Sequence, residues 1–201
     1  MEILLNGSPL PVEGLDEDSR MSELLKIVEE SLKGSGATVV DIVADGESYS
    51  PDDNIWLDDA KIVGFEKIEL ISATAQEMVR LAIQDGEEGL AHLEEMAGEV
   101  AADLRVGRVK DAMDRYLQFI DGIEWFSTML KNADRAYAKE MSESSLESDR
   151  QNLISRLGEQ TMAVQGAQED EDWVGLADIL EYEFPEILQD GKKFFERLLE
   201  I

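Results

Sequence analysis

The stretch from Arg108 to Leu130 constrains the fold more than any other part of the chain, because large apolar residues recur along it at steps of three and four. This spacing predicts a helix with a broad buried face. The members of that face are Val109, Met113, Tyr116, Phe119, Ile120, Ile123, Trp125, Phe126, Met129 and Leu130. Their density predicts a helix at the centre of a bundle. Gly122 costs about 1 kcal/mol against Ala in mid-helix, so we expect it to let another backbone approach.

Three further helices are predicted around this one. A seam with alternating steps of four and three runs from Val79 to Leu104 and is typical of helices that pack at a shallow angle. The next helix is marked by Leu146, Leu153, Ile154, Leu157, Thr161 and Val164. The last begins near Trp173, and Pro185 predicts a kink or a break within it. Residues 132–149 are polar and are expected to form a mobile connection, although the first turns could extend the preceding helix through Tyr137.

The first 72 residues have a different pattern, which predicts short strands and one short helix. Asn6-Gly7 predicts a tight hairpin turn, and Met21 to Leu32 a helix capped by Ser19 or Ser22. Strands are predicted at Thr38 to Val43 and at Lys67 to Ile71, with a loop between them in which Ile55 and Trp56 form an apolar island. This order of elements resembles the ubiquitin-like β-grasp fold. The sequence therefore predicts an α+β protein, with a small β-grasp-like domain at residues 1–72 and a four-helix bundle at residues 73–201.

The charge of the chain excludes several classes of partner. Forty-six acidic and 18 basic side chains give a net charge of −28. Such a field repels nucleic acids and anionic membranes. The acidity indicates either a solvated surface or, alternatively, a docking surface for a basic partner or a mimic of a nucleic-acid backbone. The chain has no cysteine and no apolar run long enough for a signal peptide or a membrane span, so we expect a cytoplasmic protein with no membrane partner.

No motif predicts catalysis, a cofactor or a metal site. His92 is the single histidine, whereas a di-iron bundle uses Glu-x-x-His on two helices. The acidic runs at 16–18, 52–53, 58–59 and 169–172 lack the spacing of an EF-hand. We found no phosphate-binding glycine loop and no nucleophile elbow. The many carboxylates single out no pair for acid–base chemistry.

The aromatic residues are the candidates for a binding surface. They are either core or a groove left open for a partner helix or a second copy. The residues predicted for this surface are Trp125, Phe126, Trp173, Tyr182 and Phe184.

Two motifs carry a family resemblance. The segments GRVKDAMDRYLQFIDGIEWF and DWVGLADILEYEFPEIL are similar to a motif pair of an uncharacterised bacterial family with a small β-rich N-terminal region. This resemblance implies a bacterial, cytosolic protein and no known activity. By architecture alone the bundle is also similar to bacterial secretion and flagellar export chaperones.

The function predicted from the sequence is therefore that of a non-catalytic cytosolic interaction or adaptor protein. Its bundle binds a partner helix or a second copy, in a chaperone-like manner. The alternative is a small-ligand binder or hydrolase that uses carboxylates at the junction of the two domains.

Overall fold

The N-terminal part folds as a mixed sheet joined by two tight hairpins. In the computed structural model, which describes residues 1–16 and 18–201, β1 (Glu2–Leu5) and β2 (Ser8–Pro9) form the first hairpin. Its turn residues Asn6 and Gly7 have φ angles of 49° and 77°. These left-handed conformations match the twist of a two-residue hairpin turn, so the hairpin predicted at Asn6-Gly7 is confirmed.

The described residues place five strands in this sheet, in the order β2-β1-β5-β3-β4. The remaining strands are β3 (Ala37–Ala44), β4 (Glu47–Tyr49) and β5 (Lys67–Thr74). β5 runs parallel to β1 and antiparallel to β3. The helix α1 (Met21–Leu32) buries Met21, Leu24 and Val28 in a core shared with Ile42, Ile68 and Leu70. The α+β class is confirmed, with the sheet preceding a set of helices.

Two local predictions in this part were wrong. The N-cap of α1 is Arg20, whose backbone N–H donates to the Glu23 carboxylate at 3.0 Å; neither Ser19 nor Ser22 occupies this position. The predicted loop around Trp56 contains a helix, α2 (Asn54–Asp59). It forms because the Asp53 carboxylate accepts the Trp56 backbone N–H at 3.1 Å.

The remainder of the chain is helical. Its helices are α3 (Ala75–Arg105), α4 (Val109–Ala136), α5 (Ala138–Ser142), α6 (Leu146–Glu169), α7 (Trp173–Asp178) and α8 (Phe184–Leu198), with a π-helical segment (Ile179–Glu183) between the last two. The chain divides into two compact units, which we call the sheet unit (Met1–Met78) and the helical unit (Val79–Ile201).

The connection predicted to be mobile is mostly helical. The helix α4 continues to Ala136 and α5 follows at once. Tyr137, Met141 and Leu146 are fully buried in the core of the helical unit. The alternative, that the first turns extend the preceding helix, is therefore confirmed as far as Ala136. Beyond it, the three apolar side chains anchor a segment whose other residues are mostly polar.

Pro185 does not break the last helix. Phe184 keeps helical angles, with φ −64° and ψ −40°, and its N–H bonds to the carbonyl of Ile179, five residues earlier. A proline ring normally clashes with the carbonyl four residues before it. The wider π turn accommodates this ring, so the helix continues from Trp173 to Leu198.

Three glycines receive large side chains from neighbouring helices. The Trp125 indole packs on Gly86, where an added Cβ would lie 2.5 Å from the ring. The Leu93 side chain packs on Gly122, and the Phe126 ring packs on Gly191. Gly122 therefore allows the close approach of the Leu93 side chain, whereas the sequence analysis predicted the close approach of another backbone.

Candidate functional site

The five aromatic residues predicted for a binding surface do not share one environment. Trp125 on α4 is 37% exposed and Tyr182 in the π segment is 58% exposed. Trp173 is partly buried against the core. Phe126 and Phe184 are fully buried, so their assignment to a surface was wrong.

The physical reason is that both phenylalanines fill the interior of the helical unit. The Phe126 ring meets Phe195 edge to face at 6.0 Å between centroids. The Phe184 ring meets Phe119 in the same manner at 5.1 Å. Such pairs add to the stabilisation from burial.

A cavity of about 280 Å³ lies between α6 and α8. Its charged side chains already form ion pairs. Arg156 contacts Asp190 at 2.7 Å, Lys193 contacts the same carboxylate at 3.0 Å, and Arg197 pairs with Asp149. The Arg156–Asp190 and Arg197–Asp149 pairs connect the two helices, whereas the Lys193–Asp190 pair lies within α8. Both carboxylates are therefore engaged by cations.

The ion pairs of Asp190 should make the stability of the protein depend on pH. Its pKa is lowered, first by the hydrogen bond from Lys193 and then by that from Arg156. A lowered folded-state pKa contributes stability above the ordinary value of 3.8, and this stability is lost as the pH falls through the folded-state pKa. We expect Asp190→Asn to lower the free energy of unfolding at pH 7, and the difference from wild type to shrink towards zero below pH 3.8.

Urea unfolding of both proteins over a pH series measures this difference. Asp121→Asn, which removes an exposed carboxylate of α4, is the control and should change the free energy by less than about 0.5 kcal/mol. A cost of Asp190→Asn that stays constant down to the lowest pH would show that the ion pairs do not cause it.

Asp103 is a buried carboxylate at the turn between α3 and α4. Arg108 contacts it at 2.6 Å, and Arg115 donates to its other oxygen. The Arg108 backbone N–H also donates to the Asp103 carbonyl at 2.9 Å. Because both oxygens are occupied, the side chain fixes the α3–α4 turn.

The described residues contain neither a cluster placed to bind a metal ion nor a helix suited to span a membrane. His92 is exposed on α3. Among the described residues no group of three or more His, Cys, Asp or Glu is placed to hold a metal ion. The acidic run at 16–18 includes Glu17, which lies outside the described residues. Within the same part of the chain, no helix combines the length and apolar character that crossing a bilayer requires.

The outward side of α6 differs from the rest of the helical unit. We define the outer face of α6 as seven exposed residues, Gln151, Ile154, Ser155, Gly158, Thr161, Met162 and Gln165. Met162 is 76% and Ile154 41% exposed. The opposite side of α6 buries Leu153, Leu157 and Val164. This helix therefore carries apolar residues on two sides and is much less amphipathic than α3, α4 or α8.

Four polar side chains of the outer face each donate one hydrogen bond within α6 itself. The Thr161 hydroxyl donates to the Leu157 carbonyl at 2.7 Å, and the Ser155 hydroxyl donates to Glu159 at 3.0 Å. Gln151 donates to Glu147, and Gln165 donates to Glu169 at 2.8 Å. These bonds offset part of the cost of removing water from the face.

Sequence reasoning missed this face by placing Ile154 and Thr161 on the buried seam. The signal was present as an interval of low charge. Between Gln151 and Gln168 the charged residues are Arg156 and Glu159 alone, in a chain of which 32% is charged. In a chain with this many charges, a helix with a fully solvated outer side would be expected to carry more charged residues.

A comparison with models of protein families gives a match. No curated protein and no solved structure matches the chain. A family model described as "Domain of unknown function (DUF8042)" matches residues 82–194, which is more than half of the chain. The matched range contains both motifs of the family resemblance. The chain therefore belongs to the DUF8042 family.

Proposed function

We propose that the protein is a non-catalytic interaction protein whose helical unit binds a helix through the outer face of α6. The single observation that carries this proposal is an exposed, uncharged face on an acidic chain. Apolar side chains exposed on a helix gain free energy when a second apolar helix covers them. Bound in this way, the partner helix would be shielded from water, as an adaptor or a chaperone requires.

The rest of the surface supports the choice of this face. With a net charge of −28, most contacts with another acidic surface would be opposed by like-charge repulsion. The outer face of α6 avoids that penalty because none of its seven residues is charged. Trp125, Trp173 and Tyr182 remain candidates from the sequence for a further contact surface.

The proposed setting is the cytosol of a bacterium, a proposal supported by the resemblance of the two motifs to those of a bacterial family. The alternative function, a small-ligand binder or hydrolase based on carboxylates, stays a prediction. That alternative concerns carboxylates at the junction of the two domains, whereas the α6–α8 cavity lies within the helical unit and its Asp149 and Asp190 pair with basic side chains.

Site-specific photo-crosslinking in the cells that produce the protein tests the proposed function. A photoreactive phenylalanine analogue is placed at Met162, and in a matched control at Leu117, which is 63% exposed on α4. Both positions are apolar, helical and exposed. They differ only in the surface on which they lie, the outer face of α6 for position 162 and α4 for position 117. We expect a discrete adduct from position 162 and a much weaker one from position 117.

Two results decide the proposal. An adduct of defined mass from position 162 supports binding through the outer face of α6. Equal yields from both positions, or no adduct from either, would contradict the proposed function.

A further inference from the structure

We propose that the occupant of the outer face of α6 is the same face of a second copy, so that two α6 helices cross antiparallel at Gly158. This inference rests on the proposed function, since it names the partner of that surface. It would make the protein a homodimer with an isologous interface, in which the same patch is used on both subunits.

The first argument is the symmetry of the face about Gly158. Ile154 and Met162, both apolar, lie four residues before and after it. Ser155 and Thr161, both hydroxyl residues, lie three residues to either side. Gln151 and Gln165 lie seven residues to either side, and each donates to a glutamate four residues further out.

This symmetry makes the face self-complementary about a two-fold axis, because residues of the same kind then meet. In an antiparallel pair of helices that crosses at Gly158, each residue before the crossing meets a residue equally far after it on the other copy. Ile154 of one copy then meets Met162 of the other, twice. A partner of another sequence would impose no such chemical symmetry on α6.

The second argument is the geometry at the crossing point. A Cβ added at Gly158 would have no atom within 4 Å in the single chain. The glycine therefore leaves an open position at the centre of the face, flanked by Ile154 and Met162. Small residues at a crossing allow two helix backbones to approach closely.

The third argument is the distribution of charge. Arg156 points away from the outer face and pairs with Asp190 of α8. Glu147 and Glu169 lie eleven residues before and after Gly158, about 16 Å along the helix. Both glutamates lie near the ends of α6, outside the seven residues of the face, and added salt would screen repulsion between Glu147 of one copy and Glu169 of the other.

Glu159, exposed next to Gly158, points about 100° away from the centre of the face. The seven residues of the face themselves offer a basic partner no carboxylate and offer a second copy a matching neutral surface.

The expected dimer is weak and depends on salt. One helix crossing buries less area than the roughly 1,200 Å² typical of stable complexes. The rest of each chain repels its copy, and added salt screens that repulsion. Self-association should therefore strengthen as the ionic strength rises.

Sedimentation analysis of the full chain, over a range of protein and salt concentrations, tests this inference. We expect wild type to shift from 22.5 kDa towards twice that mass. Ile154→Lys and Met162→Glu should each weaken self-association by about tenfold or more, because each buries an unpaired charge in the contact. Leu117→Lys, an exposed apolar position on α4, is the matched control and should self-associate as wild type does.

Mixing the two variants tests the antiparallel register. In a mixed dimer the introduced lysine meets the introduced glutamate at one contact, and the native Ile154–Met162 contact remains at the other. An equimolar mixture of the two variants, one carrying a fluorescent label, should therefore associate more tightly than either variant alone.

Three results would overturn the inference. The homodimer is excluded if wild type stays at 22.5 kDa at every salt and protein concentration. The outer face of α6 is not the interface if Leu117→Lys weakens self-association as much as Met162→Glu does. The antiparallel register is wrong if the mixture of variants associates no more tightly than either variant alone. An adduct from position 162 with a mass other than that of two chains would leave the proposed function standing while excluding the second copy.

Discussion

Phe126→Ala is expected to lower the free energy of unfolding by about 3–5 kcal/mol, the usual cost of removing a buried phenyl ring. Phe126 is fully buried, meets Phe195 edge to face, and packs on Gly191. The adjacent substitution Trp125→Ala should cost clearly less, because the indole is 37% exposed and lies across Gly86 and Gly89. The two residues therefore form a matched pair of adjacent aromatics with different burial.

Urea unfolding followed by circular dichroism at the helix band measures both effects. The variants are compared at the same pH and ionic strength, since the net charge of −28 makes stability sensitive to both. Equal costs for the two substitutions would contradict the placement of Phe126 in the core and Trp125 at its margin.

Gly191→Ala is expected to destabilise the protein, although alanine normally favours a helix. An added Cβ would overlap the end of the Phe126 ring, with Cε2 only 2.7 Å away. Overpacking of this kind costs about 1–3 kcal/mol, and the gain in helix propensity returns at most about 1 kcal/mol. Because the neighbour is a buried aromatic ring, little relaxation is available.

Two further variants separate the clash from a general effect of substituting glycine. Gly98→Ala in α3, where an added Cβ meets nothing within 4 Å, should raise the free energy of unfolding by up to about 1 kcal/mol. In a Phe126→Ala background, Gly191→Ala should become neutral or stabilising, because the ring that it strikes is absent. A Gly191→Ala cost that persists in that background would exclude this contact as its cause.

The outer face of α6 shows why periodicity alone mislocated a surface. Ile154 lies next to Leu153 in the chain, and any apolar residue near a buried seam is assigned to it by spacing. The structure turns Ile154 outward because the partners of α6 contact the side that carries Leu153, Leu157 and Val164. Which of two apolar sides is buried depends on the neighbouring helices, and the sequence of α6 does not contain that information.

Phe126 shows the same limit of sequence reasoning, here for a residue that was predicted for a surface and is buried. The sequence established that Trp125 and Phe126 point about 100° apart and that one could be left exposed. The tertiary structure selected Phe126 for the interior, because Gly191 and Phe195 of α8 form a site for a phenyl ring.

Local chemistry was sufficient for much of the fold. The sequence by itself determined the hairpin at Asn6-Gly7, the α+β order and the presence of long helices, because turn conformations and apolar periods depend on residues close together in the chain. Only the tertiary structure decided that a π turn carries the last helix past Pro185, that Met141 orders a polar connection, and that α6 leaves Met162 exposed. Each of these outcomes depends on packing between residues far apart in sequence, whose free energy exceeds the local preference that opposes it.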